Sequence, residues 1–208
     1  MSAAEGVALG YEPLPGSGLP GGRIWIEAGG SHVVSAVSAA LKSVLLAAVI
    51  ELRPRRDARV VVLGSDTGAL ARRAGDALRA QVAYLPAGGG LISNLNAWEN
   101  ITLPIGYHEP RRARGLASQV YALLEQFGAS APALLAKLPE NMTPDERKLA
   151  GYVRMRLGRP RLVLAEDPGG APGAPERRRA AAFAAAYLAD CPEGTFVQLQ
   201  EDAPGGPA

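Results

Sequence analysis

The sequence has few cysteine, histidine and aromatic residues. Cys191 is its only cysteine, which excludes an intrachain disulfide and is typical of a reducing cytoplasm. His32 and His108 are the only histidines, so with one cysteine they cannot supply the full ligand set of a usual zinc site, and we expect no metal site. No aromatic residue interrupts the short arginine clusters, so we expect no nucleic-acid partner.

We also expect no secretory signal. Residues 1–22 are rich in glycine and proline and lack a basic start followed by an apolar run. The segment Val33–Ile50 is long enough to span a bilayer, and Lys42 is its only charge. However, it consists mostly of Ala, Ser and Val, which insert weakly, and a lysine at its centre would cost about 3 kcal/mol. We therefore interpret it as a buried helix.

Segments with strand patterns alternate with segments that have helical patterns. Residues 23–28 alternate in polarity and end at a glycine pair, whereas His32–Leu52 has no glycine and predicts a long helix that ends before Pro54. This alternation predicts an α/β fold with a mainly parallel sheet that helices cover on both faces. Strands are predicted at 23–28, 59–64, 82–85, 161–165 and 195–200.

The middle of the chain has a different character. Residues 92–158 have helical patterns and few strand patterns, which predicts a helical lobe inserted into a sheet core made of 23–91 and 159–202. Residues 1–22 are predicted to form a loop or arm, and 203–208 a disordered tail. We therefore expect one domain that carries an inserted lobe.

The segment Gly88–Pro104 reads GGGLISNLNAWENITLP, and it is followed by Leu138-Pro139 and by the run Arg154–Asp167. In this order and spacing, the segments resemble the ATPase domain of ABC transporters, especially those of Mla-type lipid-transport systems. The resemblance covers roughly residues 23–202 and implies a P-loop NTPase-like fold. It also implies that Gly88–Pro104 follows the Q-loop, runs into the helical lobe and contacts the membrane permease.

The phosphate loop of this family, Gly-x4-Gly-Lys-Ser/Thr, is altered here. In the family its glycines let backbone amides surround the phosphates, and its lysine neutralises them. One register aligns Lys42 and Ser43 with the family's Lys-Ser and puts Ala36 and Leu41 at glycine positions. A second register, aligned on Gly29, replaces all of Gly-Lys-Ser. In both registers, we expect an apolar helix in place of the loop.

The resemblance assigns the other nucleotide-handling positions to residues of the wrong type. The Q-loop glutamine corresponds to Ala87, the signature motif to residues 142–146, and the switch histidine to Glu201. The Walker B pair is inverted to Glu166-Asp167, in which Glu166 could still hold Mg²⁺ and Asp167 would be a general base on a shorter arm. These are vestigial positions, and we expect neither catalysis nor a bound cofactor.

The function that the resemblance implies is a non-catalytic subunit that binds a membrane permease in a lipid-type system. We expect it at the inner face of the plasma membrane, paired with an active ABC ATPase or with a second copy of itself. The alternative is an ATPase with residual ATP and Mg²⁺ binding, or hydrolysis completed by an active partner. Two further possibilities are an α/β domain unrelated to the family and a Trp98 that only fills the junction between the sheet and the helical lobe. The residues predicted to contact a partner are Leu91, Asn94, Trp98, Glu99 and Asn100.

One aromatic residue, Tyr11, lies before the first predicted strand. A tyrosine at such a position could stack on the adenine of a bound nucleotide. The intervening segment is short, so the interpretation depends on where the chain places this ring.

Overall fold

A computed structural model gives the fold of the chain and describes residues 6–52, 55–112, 115–166 and 174–201. The predicted tail at 203–208 lies outside these ranges. The strands are β1 Val7–Pro13, β2 Ile24–Glu27, β3 Gly30–Val37, β4 Ala58–Val62, β5 Ser65–Asp66, β6 Val82–Leu85, β7 Leu162–Glu166 and β8 Thr195–Glu201. The α-helices are α1 Ala39–Val49, α2 Arg72–Arg79, α3 Ala97–His108, α4 Leu116–Gln126, α5 Ala131–Leu135, α6 Pro144–Leu157 and α7 Ala174–Asp190.

The chain divides into two units, Met1–Tyr84 with Pro160–Ala208 and Leu85–Arg159. The first unit contains an antiparallel sheet, in the order β2-β1-β4-β5, and a second sheet, in the order β3-β8-β7-β6. In the second sheet β8 runs parallel to both β3 and β7. Side chains from α1 and from both sheets form one buried cluster that includes Tyr11, Leu45, Val60, Leu164 and Val197. The α/β class predicted from the sequence is therefore confirmed.

The prediction of a loop or arm at 1–22 is wrong for β1, which is an inner strand of the antiparallel sheet. It pairs with β2 on one side and with β4 on the other. Gly10 looked like a loop residue in the sequence, but in the structure it makes room for an indole ring. A Cβ placed on Gly10 would lie 2.8 Å from Cζ3 of Trp25.

The prediction of a mainly parallel sheet is also wrong. The strands predicted at 23–28 and 59–64 correspond to β2 and β4, and both belong to the antiparallel sheet. The sequence of β1 favours a loop, so the sequence-based prediction lacks the strand that joins β2 and β4. The other predicted strands are confirmed, since 82–85, 161–165 and 195–200 correspond to β6, β7 and β8 in the second sheet.

The predicted helix at His32–Leu52 is a strand in its first part. Residues 32–37 belong to β3, which pairs with β8, and α1 begins only at Ala39. The β-branched valines of His-Val-Val-Ser-Ala-Val favour a pleated, half-buried strand, and this pairing outweighs the helical spacing of the apolar residues. No α-helix in the described part of the chain is long and apolar enough to cross a membrane.

In the second unit, α3 to α6 lie within the range predicted as a helical lobe, and two of them begin at capping boxes. The Asn96 side chain accepts from the N–H of Glu99, and the Glu99 carboxylate accepts from the N–H of Asn96. Thr143 and Glu146 make the same reciprocal pair at the start of α6. Each box satisfies backbone donors that a helix start otherwise leaves without partners.

Candidate functional site

Lys42 lies one turn into α1, and its side chain reaches the end of β7. Its Nζ is 3.3 Å from Oε1 of Glu166, and the two side chains are 22% and 12% exposed. This partly shielded ion pair joins two residues that the sequence assigned to vestigial phosphate-loop and Walker B positions. The register aligned on Gly29 is wrong, because it would place the Gly-Lys-Ser position at 34–36, inside β3.

The turn between β3 and α1, where a phosphate loop would lie, is closed by the chain's own groups. The Ser38 side chain caps α1 by accepting from the N–H of Leu41 at 3.2 Å, and the Ser38 carbonyl accepts from the N–H of Lys42 at 2.9 Å. The predicted helix through this position is therefore replaced by a strand, a capped turn and a helix start. The Leu41 amide, which would help to bind an anion in a phosphate loop, instead donates to Ser38.

The side chain of Leu41, at a glycine position of the family's loop, is buried. It is 6% exposed and belongs to the main core of the first unit. The loop between β1 and β2 packs directly on it at Gly21, where a Cβ would lie 2.7 Å from Cδ2 of Leu41. At this position of the family's loop, the side chain of Leu41 therefore packs in the core. The backbone of Gly21, at φ +81°, lies close to this side chain.

The remaining vestigial positions in the first unit are Ser43, Glu201 and Asp167. Ser43 donates from Oγ to the carbonyl of Ala39, a bond within its own helix. Glu201 ends β8, where its backbone lies opposite Val37. Asp167 lies outside the described residues.

Tyr11 is a core residue and does not form an adenine platform. Its ring is fully buried, and its hydroxyl donates to the carbonyl of Pro20 at 3.1 Å. Burial raises the pKa of Tyr11 above its usual value. Adenine stacking on this ring is therefore excluded by the structure.

The start of α6, assigned to the signature motif, is occupied by a carboxylate. Glu146 accepts from the N–H of Thr143 at 2.8 Å and from Nζ of Lys137 at 2.7 Å. The hydrogen bond from Lys137, followed by that from the Thr143 backbone, lowers the pKa of Glu146 below its usual value. An anion at this helix start would meet a negative charge that already holds the favourable position.

An open groove of about 510 Å³ runs along α3 in the second unit. Two neighbouring rows of side chains, each with i, i+4 spacing, line it together with Leu116 at the start of α4. Leu103 is 46% exposed and Tyr107 is 81% exposed, so much apolar surface here is in contact with solvent. One row is Trp98, Thr102 and Gly106, and the other is Glu99, Leu103 and Tyr107.

Only some of the residues predicted to contact a partner line the groove. Trp98 and Glu99 line the groove, whereas Leu91 and Asn94 do not. The assignment of Asn100 as a partner contact is wrong, because it is 1% exposed and its side chain fastens the preceding turn. Its Oδ1 accepts from the N–H of Ile92 at 2.7 Å, and its Nδ2 donates to the carbonyls of Ile92 and Leu95.

The loop before α3 is held closely against α6. Gly89, at φ +79°, lies so near the backbone of Arg147 that a Cβ there would overlap it, and a Cβ on Gly151 would overlap the carbonyl of Gly89. Arg154 donates to the same carbonyl at 3.1 Å, and burial lowers the pKa of Arg154. These contacts hold the loop that precedes α3 in one position against α6.

Several curated proteins are similar to the chain, although no protein-family model matches it. The methionine import ATP-binding protein MetN of Cupriavidus necator is 27% identical over 142 residues, which is 68% of this chain and 40% of that protein. MetN of Cupriavidus metallidurans is 28% identical over 62% of this chain and 37% of that protein. The lipoprotein-releasing system ATP-binding protein LolD of Shewanella denitrificans is 32% identical over 38% of this chain and 33% of that protein. The matches thus span at most about two fifths of these relatives.

Solved structures match over almost the whole chain. CbiO1 of Clostridium perfringens, described as part of the ABC transporter complex cbiONQ, has a TM-score of 0.72 and 14% identity, over 95% of this chain and 80% of that chain. The ATP-binding cassette MJ0796, in a dimeric post-hydrolysis state with ADP and Pi, has a TM-score of 0.64 and 15% identity, over 94% and 87%. The chain therefore has the fold of the ATP-binding cassettes.

Proposed function

We propose that the chain is a non-catalytic member of the ATP-binding cassette family that binds a membrane permease in a lipid-type transport system. The observation that carries the proposal is the open groove on α3. It contains Trp98 and Glu99, which belong to the segment where the sequence keeps the family's pattern. A partner ATPase or a second copy of the chain completes the assembly.

The closed turn at the start of α1 supports the non-catalytic part of the proposal. Nucleotide binding at a phosphate loop needs several backbone amides that converge on the phosphates. Here the Leu41 amide donates a hydrogen bond to the Ser38 side chain, and the Leu41 side chain is part of the core. Opening this turn for a nucleotide would expose a buried leucine and break a helix cap, and both changes are unfavourable.

The permease partner is supported by the character of the groove and by the resemblance of Gly88–Pro104 to a permease-contacting segment. Exposed apolar and aromatic side chains beside a cavity are typical anchor sites for a partner helix. Binding there would hold the chain at the inner face of the plasma membrane. The similarity to MetN and LolD supports a role in a transport system. The proposal that this system transports lipids rests on the likeness of Gly88–Pro104 to Mla-type ATPases.

A second candidate function is an ATPase whose residual nucleotide binding is completed by an active partner. The observation that favours it is the Lys42–Glu166 pair, because a lysine and a carboxylate that could handle phosphate and Mg²⁺ still lie 3.3 Å apart. Under this function, Mg-ATP would separate the pair and take its place between the two side chains.

Calorimetry separates the two functions. Under the first function, titration of the purified chain with Mg-ATP should give no binding heat, and titration of its mixture with an active ABC ATPase should give only the heat that the active ATPase gives without the chain. Binding in the micromolar range that is lost in Lys42→Met would establish the second. Arg72→Met, which removes an exposed cation from α2, serves as the matched control.

A photo-reactive side chain in place of Tyr107 tests the partner. In native membranes it should cross-link to an integral membrane protein with several spans, and Gly106→Leu should abolish this product by filling the groove. The same photo-reactive group in place of the exposed Arg72, on α2, is the control. Cross-links to soluble proteins alone, or a membrane product that persists in Gly106→Leu, would show that the groove is not a permease site.

A further inference from the structure

The shape of the groove suits a helix. The two rows on α3, which begin at Trp98 and Glu99, follow the i±4 ridges of the helix surface, and the furrow between such ridges receives the ridge of a second helix. The row that begins at Trp98 decreases in size through Thr102 to Gly106. A helix that packs in this furrow can therefore approach the backbone of α3 most closely near Gly106.

The end of the groove near Gly106 has unfilled space. Apart from its two chain neighbours and the backbone of its own helix, a Cβ placed on Gly106 would have no atom of the described residues within 4 Å. Glycine inside a helix costs roughly 0.5–1 kcal/mol relative to alanine, so this position lowers the stability of α3 without improving a contact within the described chain. Leu103 and Tyr107 border this space with exposed apolar surface. A large apolar side chain from a partner is the group that would fill it.

The other end of the groove has a fixed negative charge. Glu99 is the one charged residue among those that line the groove. Its Oε2 accepts from the N–H of Asn96 at 2.8 Å, which holds the carboxylate in place, and within the described part of the chain its Oε1 accepts no hydrogen bond. A partner cation would be complementary to this oxygen and would meet a carboxylate that is already ordered.

The two ends are separated by seven residues of α3, which is two helical turns or about 10.5 Å. Two side chains on one face of a partner helix have the same separation when they are seven positions apart. We infer that the groove binds an α-helix with a lysine or arginine opposite Glu99 and, seven positions away, a large apolar residue over Gly106. This inference rests on the proposed function for the groove as the partner site.

A selection experiment tests the sequence of the partner helix. A displayed library of helical peptides is selected on the full chain, and clones that also bind Gly106→Leu are removed. We expect the remaining clones to carry Lys or Arg and, seven positions away, Leu, Phe or Met. Clones that depend on Gly106 but lack the basic residue would overturn the inference and leave the groove as a helix site. If no clone depends on Gly106, the groove does not bind helices, and the proposed function fails as well.

A charge exchange tests the contact with Glu99. The probes are a selected peptide and its version with glutamine in place of the basic residue. Glu99→Gln should weaken the binding of the first peptide by about 1.4-fold to fivefold at low salt, the range for an exposed ion pair, and should leave the binding of the second peptide unchanged. Glutamine also completes a capping box, so the unfolding midpoint of the variant should match the wild type. Equal affinities of the two peptides for the wild-type chain would overturn the inference.

Discussion

At the start of α1 the polar and apolar groups contact other parts of the chain, whereas in the groove on α3 apolar groups are exposed. At the start of α1, Ser38 caps the helix, Leu41 is buried, and Lys42 pairs with Glu166. In the groove, Leu103 and Tyr107 are exposed, and the space beside Gly106 is empty of described residues. The first place needs no ligand to be complete, whereas the second leaves apolar surface that a partner would cover.

The comparison shows which of the two places leaves room for a binding partner. A helix N-terminus binds an anion only if its amides and its surroundings remain open to it. Internal groups close this position in α1. By contrast, no described group fills the groove, although alanine at Gly106 would fit and would favour the helix.

The largest effect that we expect comes from the same substitution made in both places. Leu41→Gly should lower the free energy of unfolding by about 3–5 kcal/mol, since it removes a buried side chain and puts glycine in a helix. The matched change Leu103→Gly should cost only about 1–2 kcal/mol, because that leucine is half exposed. Urea denaturation measures both values.

The same pair of variants tests the closed site. Leu41→Gly restores one glycine of the family's loop, but Ser38 still caps the helix, so we expect no Mg-ATP binding. A variant that binds Mg-ATP, or equal destabilisation by the two substitutions, would remove the contrast between the closed turn and the open groove.

The second prediction compares two glycines of the second unit. Gly151→Ala should cost about 1–3 kcal/mol, because the new Cβ overlaps the carbonyl of Gly89. Gly106→Ala should instead stabilise the chain by about 0.5–1 kcal/mol. Thermal and urea unfolding give the sign of each change. A destabilising Gly106→Ala would mean that the groove is closed in solution.

The sequence predicts the regular elements better than it predicts the sheet they form. The strands at β6, β7 and β8 were found because their apolar runs are bounded by clear turn residues. β1 was missed because Gly10 and the surrounding prolines indicate a loop, and the reason for the glycine, the ring of Trp25, comes from another strand. The start of β3 was missed because a pairing with the distant β8 decides it.

The groove was predicted only in part. Trp98 and Glu99 were found because they lie in a segment that resembles a known family. The continuation of the same i, i+4 rows would also have indicated Gly106 and Tyr107, which lie beyond that segment. The burial of Asn100 depends on the turn that it fastens, so the spacing of residues could not reveal it.

The third prediction concerns the ion pair in the closed site. Lys42→Met and Glu166→Gln should each destabilise the first unit by about 1–2 kcal/mol, and the double variant should cost less than their sum, since each single change removes one side of the same partly shielded ion pair. A double-mutant cycle in urea measures the coupling. The surface pair Arg79 and Asp76 is the control, and its coupling should be about 0.5 kcal/mol or less. Additive effects at Lys42 and Glu166 would show that the pair adds nothing to the closed site.

The fourth and smallest effect concerns pH at the start of α6. The hydrogen bond from Lys137 lowers the folded-state pKa of Glu146 below its usual 4.5. A lowered carboxylate pKa adds stability that is fully present above pH 4.5 and is lost as the pH falls through the folded-state value. Glu146→Gln keeps the capping box but removes the charge, so the acid-dependent loss of stability should shrink by up to about 1 kcal/mol, which is modest because water screens the pair.

Urea denaturation of this variant between pH 3 and pH 6, at about half-unit steps, measures the change in slope that linkage requires. Glu140→Gln, which removes an exposed carboxylate close in sequence, is the control for the loss of one negative charge. If Glu146→Gln keeps the wild-type slope, the start of α6 is not held by a charged carboxylate. The start of α6 would then resemble the open groove on α3 and would no longer resemble the closed start of α1.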